Sequence, residues 1–438
     1  MPLKRELGLW AAIAVVCGES IAMGIFLTPA EMAKSLESPF LLLAVWCAMA
    51  LMACAGALCY AQLAITIPEA GGIYVYLRRY FGDTISFLYG WMSIAVMDSG
   101  VAAALAVGAS AYIVILVPAF ARWPRLIAAA LLLLVAGVHY RGTQIGGRFM
   151  ALVNWLKLIV IALLIVWAFA GGHGTTANLV HTGPGPTSSS ALMLGIAAAF
   201  VSAFFSYGGW WEVTKLAGEV RDPQRNLPRA LIFGVVAVTV VYIGLSAAFL
   251  YVVPLNEVTS NEAFVAQFGE ALFGHVGSAV LSLCVLISVV GGLTVLTMAA
   301  PRVYFAMAQK GEFFAPFGRL HPRYNSPANA ILLQLGCALA LLGFGAFDKI
   351  ISYIIFSAVI FLAITAAAVF RLREARRARW YPGAPVLFIA CCVAVAMMIL
   401  LRNPVAALLG LTVVALGYPL RLQLKKSQVK DESSVEAA

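Results

Sequence analysis

Gly18-Glu19-Ser20-Ile21-Ala22-Met23-Gly24 interrupts an apolar run near residues 10–30, and Ser206-Tyr207-Gly208-Gly209-Trp210 interrupts another at 192–218. In hydrocarbon, a broken helix leaves backbone N–H and C=O groups without partners, at several kcal/mol per group unless protein, water or a ligand satisfies them. Two such breaks, one opening each half of a chain, point to a ligand site at the bilayer midplane, as in secondary transporters.

The rest of the chain fits that setting. Of 438 residues, 63% are hydrophobic and only 11% charged, whereas a soluble domain keeps about a quarter of its residues charged. Long apolar runs recur, so this is an all-α, multi-span membrane protein. The formal net charge of +10 lies in short loops between apolar segments, where topology places it; no nucleic-acid partner follows. Lys4 and Arg5 precede a run long enough to span, with no small-residue cleavage site, and this reads as a retained first helix. The eight cysteines all fall inside apolar segments and match no zinc spacing. They read as packing residues, with no disulfide framework, metal or cofactor implied.

Twelve spans are predicted, at 9–30, 40–66, 83–117, 125–139, 146–171, 192–218, 230–254, 275–308, 328–347, 350–371, 384–401 and 403–423. With the N-terminus inside, only Lys34, Arg122, Arg125, Lys349 and Arg402 of the 29 Lys and Arg fall on the outer side, and Lys157 lies within a span. Lys215 and Arg302 count among the inner charges. That bias places both termini in the cytoplasm. The stretch Pro254 to His275, with Glu257, Glu262 and Glu270 but no basic residue, reads as an outer loop. The chain reads as a single transporter domain, 1–424, with a short cytoplasmic tail at 425–438. Segments one to five (9–171) and six to ten (192–371) each open on a broken helix. Five spans is an odd number, so the second unit is inverted relative to the first; segments eleven and twelve (384–423) stand outside.

The motifs then become specific. Gly24-Ile25-Phe26 with Pro29 lies in the first segment, and Pro68-Glu69-Ala70-Gly71-Gly72-Ile73-Tyr74 follows the second. The sixth carries Phe205-Ser206-Tyr207-Gly208-Gly209-Trp210 and leads into Ala217-Gly218-Glu219-Val220-Arg221-Asp222-Pro223; Pro301-Arg302-Val303-Tyr304-Phe305 ends the eighth. In this order the chain resembles the amino acid–polyamine–organocation (APC) superfamily over nearly its whole length, most closely the bacterial relatives of the L-type amino acid transporters. The resemblance implies the LeuT type of fold: five plus five inverted helices, the first and sixth broken, with two more appended.

Helix N-termini present free N–H groups and attract carboxylates, so the N–H groups around Ala22, Met23 and Gly24 are expected to face a substrate carboxylate. Carbonyls freed at Ser20, Ile21, Phe205 and Ser206 are expected to accept from its ammonium, and the resemblance implies this same placement. The family's Gly-Ser-Gly is Ala22-Met23-Gly24 here; a helpful hydroxyl is missing and Met23 adds bulk. Phe205 matches the aromatic that closes over substrate in relatives. Gly208 belongs to the sixth break, Trp210 matches a family tryptophan, and Trp211 either narrows the side-chain pocket or packs. Gly291 matches a small-residue stretch lining the cavity in relatives, and close helix packing explains it equally well.

Lys157 is a lone cation mid-span, a functional candidate by default. Its position matches a family lysine whose ammonium replaces a sodium ion and ties the fifth segment to the first. The resemblance therefore implies sodium-independent transport, by exchange or with proton coupling. Glu19 and Asp98 are candidates for a proton or cation relay, or for ion pairing with Lys157. Glu212, one turn from Lys215, reads as part of an inner gate, and Arg221–Arg229 as a hinge loop.

No His-Glu-x-x-His or phosphate-binding loop is present, and no repeated filter marks a channel. The leading expectation is alternating-access transport of neutral L-amino acids across a bacterial inner membrane. The alternatives are a carrier of cationic amino acids or polyamines, motivated by Glu19 and Asp98, and a transporter-like sensor. The loop Pro118–Pro124 lacks the cysteine by which animal L-type chains hold a heavy chain, so no disulfide-linked partner is expected. Oligomeric state has no signature in the sequence.

Overall fold

The computed structural model describes residues 3–22, 24–180, 188–258, 261–344 and 347–425. Met23, expected to face the substrate, and the tail beyond Lys425 lie outside the described residues. Among the described residues the chain forms helices and no sheet, with one isolated parallel bridge between Leu7 and Val220.

In chain order, α1 (Leu9–Ser20) and α2 (Gly24–Leu36) meet at 42° across the first break. α3 (Pro39–Thr66) and the short α4 (Ile73–Phe81) follow. α5 (Asp83–Met92), a π-helical turn at Ser93–Met97 and α6 (Asp98–Leu116) run on as one long apolar rod. α7 (Pro124–Tyr140) and α8 (Thr143–Ala170) come next. α9 (Ser189–Tyr207) and α10 (Glu212–Lys215) flank the second break. The remainder is α11 (Pro223–Val252), α12 (Asn261–Phe273), α13 (Gly277–Ala299), α14 (Pro301–Gln309), α15 (Ala328–Phe344), α16 (Phe347–Ala367), α17 (Gly383–Arg402) and α18 (Pro404–Ala415).

Proline sets several of these starts. It opens α3, α7, α11, α14 and α18, where its missing N–H costs nothing and its φ is already helical. At α3 the Ser38 hydroxyl also accepts from the Leu41 N–H at 3.3 Å, which supplies one of the donors a helix start leaves free.

Eight helices of the described residues are long and apolar enough to cross a membrane, and α1 with α2 makes a ninth as one bent span. Pro124–Tyr140, Ala328–Gly343 and Phe356–Arg371 are apolar but shorter. Leu51, Leu126, Leu134, Leu152, Leu163 and Val166 stand exposed on the periphery. Apolar surface of that extent is unstable against water and matched to hydrocarbon. The molecule is a multi-pass membrane protein. At its centre α1 packs against α8, α11 and α13, while α3 lies on α11 and α6 on α13.

Three expectations are corrected. The stretch expected as an outer loop contains α12, because Val265, Phe268 and Leu272 recur at helical spacing and are buried. The Arg221–Arg229 hinge is mostly helix: α11 begins at Pro223, which pre-sets the helical φ. Lys215 and Arg302, counted with the charges of the inner side, are fully buried, Lys215 paired with Asp98 and Glu212 and Arg302 with Glu219 inside the bundle.

Candidate functional site

The two breaks face each other. At the first, Ile21 leaves the helical region (φ −94°, ψ 66°), and α2 restarts at Gly24. The carbonyls exposed by unwinding are not left bare. Lys157, on α8, donates from Nζ to the oxygens of Cys17, Gly18 and Ile21 at 3.3, 2.7 and 2.7 Å. An ammonium has three donors and no acceptor, so it suits a cage of three carbonyls.

Tyr242 joins the breaks. Its hydroxyl lies 2.7 Å from the Ser20 carbonyl oxygen and 2.6 Å from that of Ser206, so one proton is shared between the two unwound stretches. Thr28 and Ser206 add a hydroxyl–hydroxyl bond at 2.5 Å. Gly24 permits this approach: a β-carbon there would lie 2.6 Å from Ser206 Oγ and 3.1 Å from Ser206 Cα. At the second break Gly209 adopts φ +100°, and a β-carbon on it would meet Glu19 Cβ and Cγ at 2.7 Å. The Glu19 side chain therefore lies across the Gly209 backbone.

Between the breaks is a cavity of about 170 Å³. Glu19, Ser20, Ala22 and Gly24 line it from the first segment, and Phe204, Phe205, Ser206, Gly208, Gly209, Trp211 and Glu212 from the sixth. Met97, Asp98, Val101, Ala104 and Leu105 close one side, and Ala358 and Leu362 of α16 another. Apart from the hydroxyls and three carboxylates, its wall is apolar.

One end of the cavity holds a buried charge cluster. Lys215 Nζ lies 3.1 Å from both Asp98 oxygens and 2.7 Å from Glu212 Oε1. Asp98 Oδ2 also accepts from the Ser93 hydroxyl. Asp98 directly follows the π-helical turn, and such turns shift the register of the helix beyond them.

Towards the N-terminal end of the bundle, Arg302 Nε and Nη2 grip Glu219 at 2.6 and 3.0 Å, and the Thr143 hydroxyl donates to the same carboxylate. Beside it, the Leu7 N–H donates to the Glu219 carbonyl at 2.9 Å and the Arg221 N–H to the Leu7 carbonyl at 2.8 Å. Four separate parts of the chain are thus tied at one buried point.

Of the residues singled out from sequence, Glu19, Ser20, Ala22, Gly24, Asp98, Phe205, Ser206, Gly208 and Trp211 line the cavity. Others lie elsewhere. Trp210 packs among Tyr60, Phe388 and Trp211, with centroids 5.1, 5.9 and 5.3 Å away. Gly291 backs onto the Lys157 cage: a β-carbon there would lie 2.6 Å from Asn154 Oδ1 and 3.3 Å from Lys157 Nζ. Ile21 has a fully buried side chain and gives its carbonyl to Lys157. The carbonyls expected to be free for a ligand already accept bonds, Ser20 and Ser206 from Tyr242 and Phe205 from the Gly208 N–H at 3.0 Å. Lys157 bonds to carbonyls and not to an acid; Asp98 pairs with Lys215 instead.

Sequence reading missed Met97, Val101, Ala104, Leu105 and Leu362, which carry no polar mark within apolar runs. It missed Tyr242 and the burial of Lys215, for which signals existed: a hydroxyl in mid-span, and a lysine one helical turn after an acid.

The family profile described as "Amino acid permease" matches residues 7–413. The serine/threonine exchanger SteT of Bacillus subtilis (strain 168) is 30% identical over 435 residues, covering 97% of this chain and 98% of that protein. The b(0,+)-type amino acid transporter 1 of Mus musculus is 26% identical, covering 92% and 83%. The large neutral amino acids transporter small subunit 2 of Homo sapiens is 28% identical, covering 95% and 80%.

Proposed function

Since the chain belongs to the amino acid permease family, we propose that it carries small neutral L-amino acids by sodium-independent exchange through the cavity between its two breaks. The observation that carries this reading is the meeting of the unwound stretches at one mostly apolar cavity, bridged by Tyr242.

The zwitterion is gripped at its polar head. N–H groups at the start of α2 lack intrahelical partners and take the carboxylate. The ammonium lies against the Ser20, Phe205 and Ser206 carbonyls, using lone pairs that their present bonds leave free. Met97, Val101, Leu105, Phe204, Trp211 and Leu362 surround the side chain. A cavity of about 170 Å³ has room for a small amino acid, and the similarity to a serine/threonine exchanger supports a small substrate. The cationic alternative loses its motive at Asp98, which already holds Lys215.

Sodium independence follows from Lys157. Its ammonium occupies the carbonyl cage of the first break, the position a metal cation would take there.

The twelve-span arrangement and the inverted repeat belong to the same proposal. Packing of α3 on α11 and of α6 on α13 supports it, because these are counterparts when 9–171 and 192–371 are related by a two-fold axis. Both termini then lie in the cytoplasm, and the Arg302–Glu219 lock closes the inner end. No disulfide-linked partner is required, and a bacterial inner membrane is the proposed home.

The test is counterflow. Purified protein in proteoliposomes loaded with unlabelled L-alanine takes up labelled L-alanine, competed by serine and threonine and not by arginine or putrescine. Binding without exchange of label supports the sensor reading and defeats this one.

A further inference from the structure

We propose that Glu19 and Glu212 hold one proton between them, forming a proton-binding site in the wall of the cavity. Both are lining residues. The Oε2 atoms of both are buried and have no hydrogen-bond partner, and Glu212 is only 1% exposed. A buried carboxylate oxygen without a donor is costly.

Among the described residues no neighbouring cation is free to supply that donor. All three Lys215 N–H directions are committed, two to Asp98 and one to Glu212 Oε1. Those of Lys157 are committed to the Cys17, Gly18 and Ile21 carbonyls. The groups facing Glu19 are Glu212 and Lys215 from α10, Asp98 from α6 and Lys157 from α8. Glu212 faces Lys215 and Trp211 on its own segment and Asp98 from α6. Tyr89 borders the same cluster, but its hydroxyl has no hydrogen-bond partner at either carboxylate.

Charge balance gives the stoichiometry. Three carboxylates stand against two ammonium groups, so one negative charge is left over in the mostly apolar wall of the cavity. One proton removes it. Glu19 lies across Gly209, whose carbonyl accepts the Glu212 N–H at 3.0 Å, so the two acids sit together at the second break. Paired carboxylates in such a setting share a proton. The proton comes from water while the cavity is open, forming an O–H bond on one carboxylate, and returns to water when the cavity opens again. Asp98 already accepts from Lys215 and Ser93, so it is not the carboxylate left without a donor.

The consequence for transport rests on the carrier reading above; the proton itself does not. The direct test is infrared spectroscopy of the purified full chain in lipid nanodiscs. The wild type shows a carboxylic-acid carbonyl band that disappears on raising pH, and Glu19→Gln and Glu212→Gln each lose it. Either substitution leaves the cluster neutral without a proton. Absence of a titrating band in the wild type, or the same band in both variants, overturns the proposal. The second readout is the pH profile of L-alanine counterflow at equal pH on both sides. The wild-type rate falls as pH rises, by about tenfold per pH unit once the single required proton is lost. The profile of Glu19→Gln is flat to within about twofold; if it follows the wild type, the proposal fails. Absence of L-alanine counterflow in the wild type defeats the carrier reading and leaves the infrared result to decide the proton.

Discussion

Replacing Tyr242 by phenylalanine removes one hydroxyl and little else. The ring packs 4.6 Å from Trp46 and 4.9 Å from Tyr207, centroid to centroid, and phenylalanine keeps both contacts. What disappears is the donor shared by the Ser20 and Ser206 carbonyls, at 2.7 and 2.6 Å. A buried acceptor left unsatisfied costs about 1–3 kcal/mol. A middle value of about 2 kcal/mol corresponds to roughly a thirtyfold change in an equilibrium constant. That change falls on the arrangement in which the two breaks meet, and apparent affinity scales with the population of the competent state. The half-saturation concentration for L-alanine in counterflow is therefore expected to rise between about tenfold and thirtyfold. Tyr207→Phe is the matched control. It loses a 3.1 Å bond to Thr239, which keeps its own bond to the Val235 carbonyl at 2.8 Å, so its effect is expected to stay within about threefold. If Tyr242→Phe stays within about threefold of wild type, the hydroxyl is not what couples the breaks.

Gly24→Ala drives a methyl group to 2.6 Å from Ser206 Oγ; overpacking costs about 1–3 kcal/mol, and counterflow is expected to be lost while the detergent-purified protein still elutes as folded. Substituting choline for sodium on both sides is expected to leave L-alanine exchange unchanged, whereas Lys157→Met abolishes it by stranding three carbonyls; sodium-stimulated exchange in the wild type refutes the cage argument. Arg302→Met leaves the Glu219 carboxylate buried with only Thr143 and costs about 3–5 kcal/mol. Adding Glu219→Gln is expected to restore part of that thermal stability, and a double variant no more stable than the single one contradicts the pairing.

Much of this was legible because membranes restrict what a chain can do. Apolar runs of spanning length, breaks at Gly18–Gly24 and Ser206–Trp210, and a lone Lys157 each have few physical meanings in hydrocarbon. The break residues lining the cavity followed from glycine positions and unpaired backbone. The rest depended on rotation about helix axes. Trp210 and Trp211 are neighbours in sequence, yet only the second reaches the cavity, because the unwound stretch turns one ring outward to Tyr60 and Phe388. Lys215 read as an inner-side charge since it closes an apolar run, and the packing of α10 against α1, α11 and α13 shows it enclosed. Met97 and Leu105 gain their role from the side they present, which an all-apolar helix does not announce.

The partnership of Asp98 with Lys215 spans 117 residues of chain, and this bears on biosynthesis. At about 5–20 residues per second, the ribosome needs roughly 6–23 s to deliver the lysine after the aspartate has left the tunnel. Throughout that interval the nascent segment must settle into lipid with its acid unmatched, which translocon insertion scales put at about 2.5–3.5 kcal/mol for an aspartate at a helix centre. The Ser93 hydroxyl, which donates to Asp98 in the folded protein, is already in the chain during that interval and is a partner at hand for the carboxylate.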